Sequence, residues 1–145
     1  MSDAIFARII SELGDYLGIP GLVPTDTGLC QLVFDKSQVV QLVYMGARNQ
    51  VLLSCPLDIQ QADAAQLALI ARGNFMQAAG GAVICVAPDG RAHAQLGMAF
   101  TDCDSQPLLA AIEGLLAEAR RWEQLLREAA TATTTRSHPG MFLQG

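Results

Sequence analysis

Four cysteines, at positions 30, 55, 85 and 103, and two histidines, at 93 and 138, are the side chains with which this chain could ligate a metal or attack a carbon centre. Their spacing serves neither purpose. No CxxC pair occurs and the histidines lie far apart, so a zinc site is not expected. No cysteine has a histidine close enough in sequence to suggest a nucleophile with its base. The fourteen acids are scattered singly over polar faces and turns. Asp102 and Asp104 come nearest to a pair, but they stand where a strand gives way to a helix, and capping accounts for them. GxSxG and HExxH are absent, and the loop Gly18–Gly28 lacks both phosphate-cradling glycine spacings. The sequence therefore predicts no enzyme, no metal and no cofactor. The cysteines read as core thiols, with an oxidative Cys30–Cys55 bridge across the sheet as the alternative. His93 falls on a polar strand face and reads as solvated. A small-ligand pocket would have Tyr44, His93 and Asn74 as its donors.

The elements that must position these residues are organised around Leu29–Cys55. Here LCQLVFD, QVVQLVYM and QVLLSC are separated by short polar breaks. Each run alternates imperfectly between apolar and polar residues, the period of a strand with one buried face, and the short breaks predict an antiparallel meander. Cys30, Leu32 and Phe34 share a face, as do Val40, Leu42 and Tyr44, and Val51, Leu53 and Cys55. Val39, Val43 and Leu52 lie on the opposite face, so that face too must be partly covered.

The chain has 145 residues, 51% of them hydrophobic and 16% charged, with a net charge of −5. That is one domain with a substantial core. An acidic balance disfavours nucleic acid, which is bound by clustered lysine and arginine. No run is long and apolar enough to span a membrane, and the N-terminus lacks the pattern of a signal peptide. A cytoplasmic protein is expected.

Helical spacing runs from Asp3 to Leu17, through Ile5, Phe6, Ile9, Ile10, Leu13 and Leu17, and Gly18 with Pro20 ends it. A second helix is predicted from Ile59 to Ala79, capped by Asp58 and stopped at Gly80–Gly81. Its apolar residues cover most of its circumference, which calls for burial on more than one side. Ala82–Ala87 follows without alternation and reads as a strand buried on both faces. Together they offer a surface that a second copy of the chain would cover. Pro88-Asp89-Gly90 turns the chain into a strand at Ala92–Phe100. A last helix, capped at Asp104 or Ser105, carries an apolar stripe from Leu108 to Leu126. Residues 1–130 are taken as the domain and 131–145 as a disordered tail. The fold class is α+β, in the order α-β-β-β-α-β-β-α.

That order, with the acidic charge and the implied dimer, resembles the class I chaperones of bacterial type III secretion, the Tir-chaperone family. The resemblance spans residues 3–128. It is carried by Leu17-Gly18-Ile19, Asp26-Thr27-Gly28, Cys30 to Asp35, Leu67 to Phe75 with Gly80-Gly81, the turn Asp89-Gly90 and Ala119-Arg120-Arg121-Trp122. Arg72-Gly73 departs from it, because family members often carry helix-favouring residues there. The resemblance implies a bacterial cytoplasmic homodimer that holds the N-terminal segment of a secreted effector in extended form without ATP. The ATPase of the secretion apparatus would be a further partner. Family dimers pair through the second helix and the following strand, which implies Leu67, Ile70, Ala71, Phe75, Val83 and Cys85 for the dimer interface. Ile5, Ile9, Leu29, Leu32 and Phe34 are the candidates for effector binding. The alternative is a dimeric adaptor of the same fold that binds a folded partner.

Overall fold

The alternation between Leu29 and Cys55 folds as the pattern predicts. In the computed structural model, which describes residues 2–75 and 81–137, strands β1 (Leu29–Phe34), β2 (Gln38–Met45) and β3 (Gln50–Pro56) form an antiparallel meander. Strands β4 (Val83–Val86) and β5 (Ala92–Ala99) complete an antiparallel five-stranded sheet in the order β1-β2-β3-β5-β4. The helices are α1 (Ser2–Leu17), α2 (Ala64–Gly73) and α3 (Ser105–Ser137), which gives the expected order α-β-β-β-α-β-β-α. The chain between β1 and β2 reverses at Asp35 and Lys36, both left-handed with φ of 52° and 66°, and Ser37 N–H closes the turn on the Phe34 carbonyl at 3.1 Å. Two successive positive φ angles match the twist of a hairpin, but neither residue is the glycine that adopts them freely.

One face of the sheet carries the core. Leu32, Val40, Leu42, Val51, Leu53 and Ala94 point the same way and are buried against α1 and α3. Phe6, Ile10 and Leu13 come from α1, while Leu108, Ile112, Leu115 and Leu126 come from α3. Each such large side chain contributes about 1.5–3 kcal/mol on leaving water, so this layer dominates the stability. Cys30 and Cys55 both lie in it, but β2 runs between their strands. Two strand spacings are about 10 Å, beyond the roughly 7 Å Cα separation a disulfide tolerates. The bridge that the sequence left open is therefore excluded.

The opposite face carries Val33, Gln41, Val43, Leu52, Gln95 and Val83, half-buried or exposed. No described helix covers it.

The start of the second helix needs correction. The second helix begins at Ala64, not near Ile59, because Asp63 is its cap. The Asp63 carboxylate accepts Gln66 N–H at 2.8 Å and the Gln66 side chain accepts Asp63 N–H at 2.9 Å, a complete capping box. Asp58 instead pairs with Arg127 of α3 at 3.0 Å, and residues 57–62 lie along the end of β5 through Leu57 N–H to Ala92 O, Ala92 N–H to Ile59 O and Ala62 N–H to Gly90 O. Within a single copy, Gln66 and Ile70 are the buried residues of this helix. The stop at Gly80 and the stretch from Met76 lie outside the described residues. Strand β4 is an edge strand, and within a single copy Ile84 is buried and Val83 exposed. The helix α3 reaches Ser137, through the first residues of the segment set apart as a tail.

Gly73 explains the departure noted in the sequence. A Cβ there would stand 2.0 Å from Cη2 of Trp122. The indole, buried to 3% exposure, fills the place of a side chain between α2 and α3.

Candidate functional site

The edge of the sheet at β1 is open. Backbone parity follows from the bond of Tyr44 N–H to the Gly28 carbonyl at 2.9 Å and the register Cys30↔Leu42, Leu32↔Val40. Cys30, Leu32 and Phe34 therefore direct their N–H and C=O groups toward β2, and Leu29, Gln31 and Val33 direct theirs outward. Leu29 is satisfied locally, its N–H on Thr25 Oγ1 at 3.1 Å and its carbonyl accepting Thr25 N–H at 2.8 Å. Gln31 and Val33 are left with outward donors and acceptors, which is the template for an added strand. At the other edge the Asn74 side chain takes both backbone groups of Ile84, accepting its N–H at 3.0 Å and donating to its carbonyl at 2.7 Å. One amide thus closes the middle of β4, while the middle of β1 stays open.

Two cavities flank β1 on the helix-covered side. The larger, about 510 Å³, lies at the Gly28 end between the start of α1, residues 23–28 and Tyr44. The Tyr44 ring stacks on Phe6 with centroids 5.3 Å apart and meets Phe100 at 4.8 Å, which makes that wall rigid. The other, about 360 Å³, lies at the Phe34 end, where Leu17, Phe34, Leu109 and Leu116 supply apolar surface.

Of the residues expected to bind a partner here, Ile5 is exposed, and Leu29 and Phe34 are half-buried. Ile9 and Leu32, each 3% exposed, belong to the protein's own core. The residue that the strand offers outward is Val33, 55% exposed. It sits one position out of phase with the core-facing set Cys30, Leu32 and Phe34. Tyr16, Ile19 and Val23 are likewise exposed near the end of α1 and in the following loop. No periodicity marks a loop residue as exposed surface.

A second apolar surface joins α2 to β4. Leu67, Phe75 and Val83 are exposed large hydrophobic residues, and Ala71 is exposed beside them. Phe75 is 75% exposed. Cys85 is half-buried on the uncovered sheet face. Ile70, at 6%, points inward and packs with the core rather than on this surface. Gln66, also on α2, is buried and donates to the Leu126 carbonyl of α3 at 3.0 Å, which fixes the helix to the body of the protein.

The groups able to do chemistry are placed for stability. Burial pushes the Cys30 and Cys85 thiols up. Cys55 is raised to about 11 by burial and then by Glu123, and Cys103 to about 11 by burial and then by Asp104 and Asp102. Thiols held protonated are poor nucleophiles. His93, lowered by burial, is not the solvated residue expected: its Nδ1 lies 3.2 Å from Ser54 Oγ. Ser54 comes from β3, a partner that only the sheet register brings near. Tyr44, His93 and Asn74 do not converge. They occupy the helix-facing layer, the uncovered face and the β4 edge, so no pocket gathers them. Among the described residues no cluster of metal-binding groups occurs, and no helix is long and apolar enough to cross a membrane.

Known structures share this architecture. The chain aligns with one from the HopA1–SchA chaperone–effector complex over 86% of its own length and 97% of that chain, at 23% identity and a TM-score of 0.75. With one from the ExsC–ExsE complex the coverage is 86% and 95%, the identity 19% and the TM-score 0.78. A chain from the complex of the Yersinia pestis type III secretion chaperone SycH with a fragment of YscM2 aligns over 81% and 98%, at 19% identity and a TM-score of 0.66. No curated protein matches the sequence. Residues 8–123, from within α1 to the middle of α3, match the Tir chaperone protein (CesT) family. The chain belongs to that family of type III secretion chaperones.

Proposed function

We propose that the protein is a homodimer that binds the N-terminal segment of a secreted effector as an extended strand, keeping it soluble and competent for export. The observation that carries this reading is the open middle of β1, where Gln31 and Val33 present unpaired backbone groups between two cavities. An extended segment would add its hydrogen bonds there and place alternate side chains toward the cavities. Neither ATP nor catalysis enters: affinity comes from buried apolar area, about 25 cal/mol per Å² before ordering costs. The raised thiol pKa values and the scattered polar groups accord with a binding protein rather than an enzyme. The effector partners named for the structural relatives belong to those proteins, and they motivate the choice of client class.

The dimer would form through Leu67, Ala71, Phe75 and Val83, a surface that a single copy leaves in water. Leu67 and Phe75 supply the large side chains, and the alanine allows close approach of a second helix. The cytoplasmic location and contact with the secretion ATPase belong to the same proposal.

Val33→Pro tests it. Proline at this position removes an N–H that faces away from β2 and is tolerated on a strand edge, so the sheet keeps its internal ladder. The tagged protein and this variant are purified from the bacterium that encodes them, and the co-purifying polypeptides are trimmed by limited proteolysis. Two copies of the wild-type protein protecting an N-terminal fragment, with the fragment lost from a dimeric Val33→Pro, support the reading. Retention of the fragment by Val33→Pro, or capture of a folded internal domain instead, overturns it.

A further inference from the structure

We infer that the cavity at the Gly28 end of β1 receives a lysine or arginine side chain of the client, and that the client anchors itself by that residue and a large apolar residue six positions away. The inference rests on strand addition to β1 and specifies what the added strand must carry. The cavity walls are apolar, from Phe6, Ala7, Val23 and Pro24. The polar side-chain atoms of the lining are all oxygens, on Asp3, Thr25, Asp26, Thr27 and Tyr44, and no lysine, arginine or histidine is among its residues. The described ion pairs and side-chain hydrogen bonds leave both Asp3 and Asp26 unpaired. An aliphatic stem ending in a cation matches both halves of this lining, its methylenes on the walls and its charge at the carboxylates. The net charge of −5 adds attraction of the same sign at longer range.

The second anchor follows from the strand geometry. Gly28 lines the first cavity and Phe34 the second, and both have the helix-facing parity of Cys30 and Leu32. Residues six apart on a client strand lie about 20 Å apart and on the same face, so one can enter each cavity. At the Phe34 end Leu17, Leu109 and Leu116 offer an apolar seat, with the charged Asp35, Glu113 and Arg120 exposed at its rim.

Short synthetic peptides of alternating apolar and polar residues test the inference. Each carries one leucine and, six positions away in either order, arginine, methionine or glutamate, and binding to the dimeric protein is read by fluorescence anisotropy. The arginine peptide of the favoured order is expected to bind about three- to fivefold more tightly than its methionine counterpart, with the advantage shrinking as salt rises. The double variant Asp3→Asn, Asp26→Asn should bind the two peptides alike. Equal affinity of both for the wild-type protein, or an arginine advantage that survives in the double variant, overturns the inference and leaves strand addition standing. Failure of every peptide to bind overturns strand addition itself, and the inference with it.

Discussion

Gly73→Ala sets two effects of similar size against each other. In a helix, replacing glycine by alanine stabilises by up to about 1 kcal/mol, and Gly73 lies in α2 with ordinary helical φ. Against this stands Trp122. The new Cβ would meet its Cη2 at 2.0 Å, Cζ2 at 2.4 Å and Cζ3 at 3.1 Å, where carbon atoms prefer about 3.5–4.0 Å. The indole cannot swing aside, being 3% exposed, so α2 must move outward or the ring must leave its rotamer. Overpacking of this kind costs about 1–3 kcal/mol, and a shortfall above 1 Å at two atoms belongs at the upper end. The net expectation is a destabilisation of about 2 kcal/mol, or roughly 1 M in the urea midpoint for a slope near 2 kcal/mol per M. Urea unfolding by far-UV circular dichroism at matched protein concentration reads it, and Gly73→Ala should cost less in a Trp122→Leu background than in the wild type. Because Asn74 ties the end of α2 to Ile84, outward movement of α2 should also weaken self-association. A Gly73→Ala protein as stable as the wild type, or more stable, would refute the packing argument.

Further outcomes are expected elsewhere in the chain. Phe75→Glu should turn the proposed dimer into a folded monomer, raising the dissociation constant thirtyfold or more in analytical ultracentrifugation, whereas Ile70→Glu should unfold the chain because Ile70 lies in the core. A dimer unchanged by Phe75→Glu would move the interface elsewhere. Lys36→Gly should raise stability by about 0.5–1 kcal/mol by relieving a left-handed residue with φ of 66°, and a drop in melting temperature would contradict that. Cys55 and Cys103 hold their protons to about 11 in the fold, against 9.0 for an ordinary thiol. The unfolded chain loses these protons first, so the stability they contribute is intact below about pH 9 and declines toward pH 11. Urea midpoints across that range should fall for the wild type and fall less for Cys55→Ala with Cys103→Ala.

The parts of the fold legible in the sequence are those fixed by local period. Leu32, Leu42 and Leu53 each have a polar residue on one side in the sequence, at Gln31, Gln41 and Ser54, and the register places those three polar residues together on the opposite face. What the sequence left open depends on distant residues. Asp58 and Asp63 are equally good caps in isolation; the choice is made by the hydrogen bonds of residues 57–62 along the end of β5. Gly73 looks like a weak point in a helix until Trp122, far along the chain, occupies its side-chain space. The site residues divide the same way. Ile5 and Ile9 lie on one apolar stripe, and only the packing of α1 on the sheet decides that Ile9 is core and Ile5 is surface. Leu32 and Val33 are adjacent, similar in type and on opposite faces, so the choice between groove and core needs the position of α1 and α3.

The most direct test of the account is hydrogen exchange at two amides. In the free protein, Gln31 and Val33 N–H groups face away from β2 and should exchange quickly, while Leu32 N–H, directed toward β2, should be protected. When the N-terminal client fragment recovered with the wild-type protein is added back, strong slowing is expected at Gln31 and Val33, with Leu32 already protected. Client bound at saturation with both amides still exchanging at their free rates would contradict strand addition to β1.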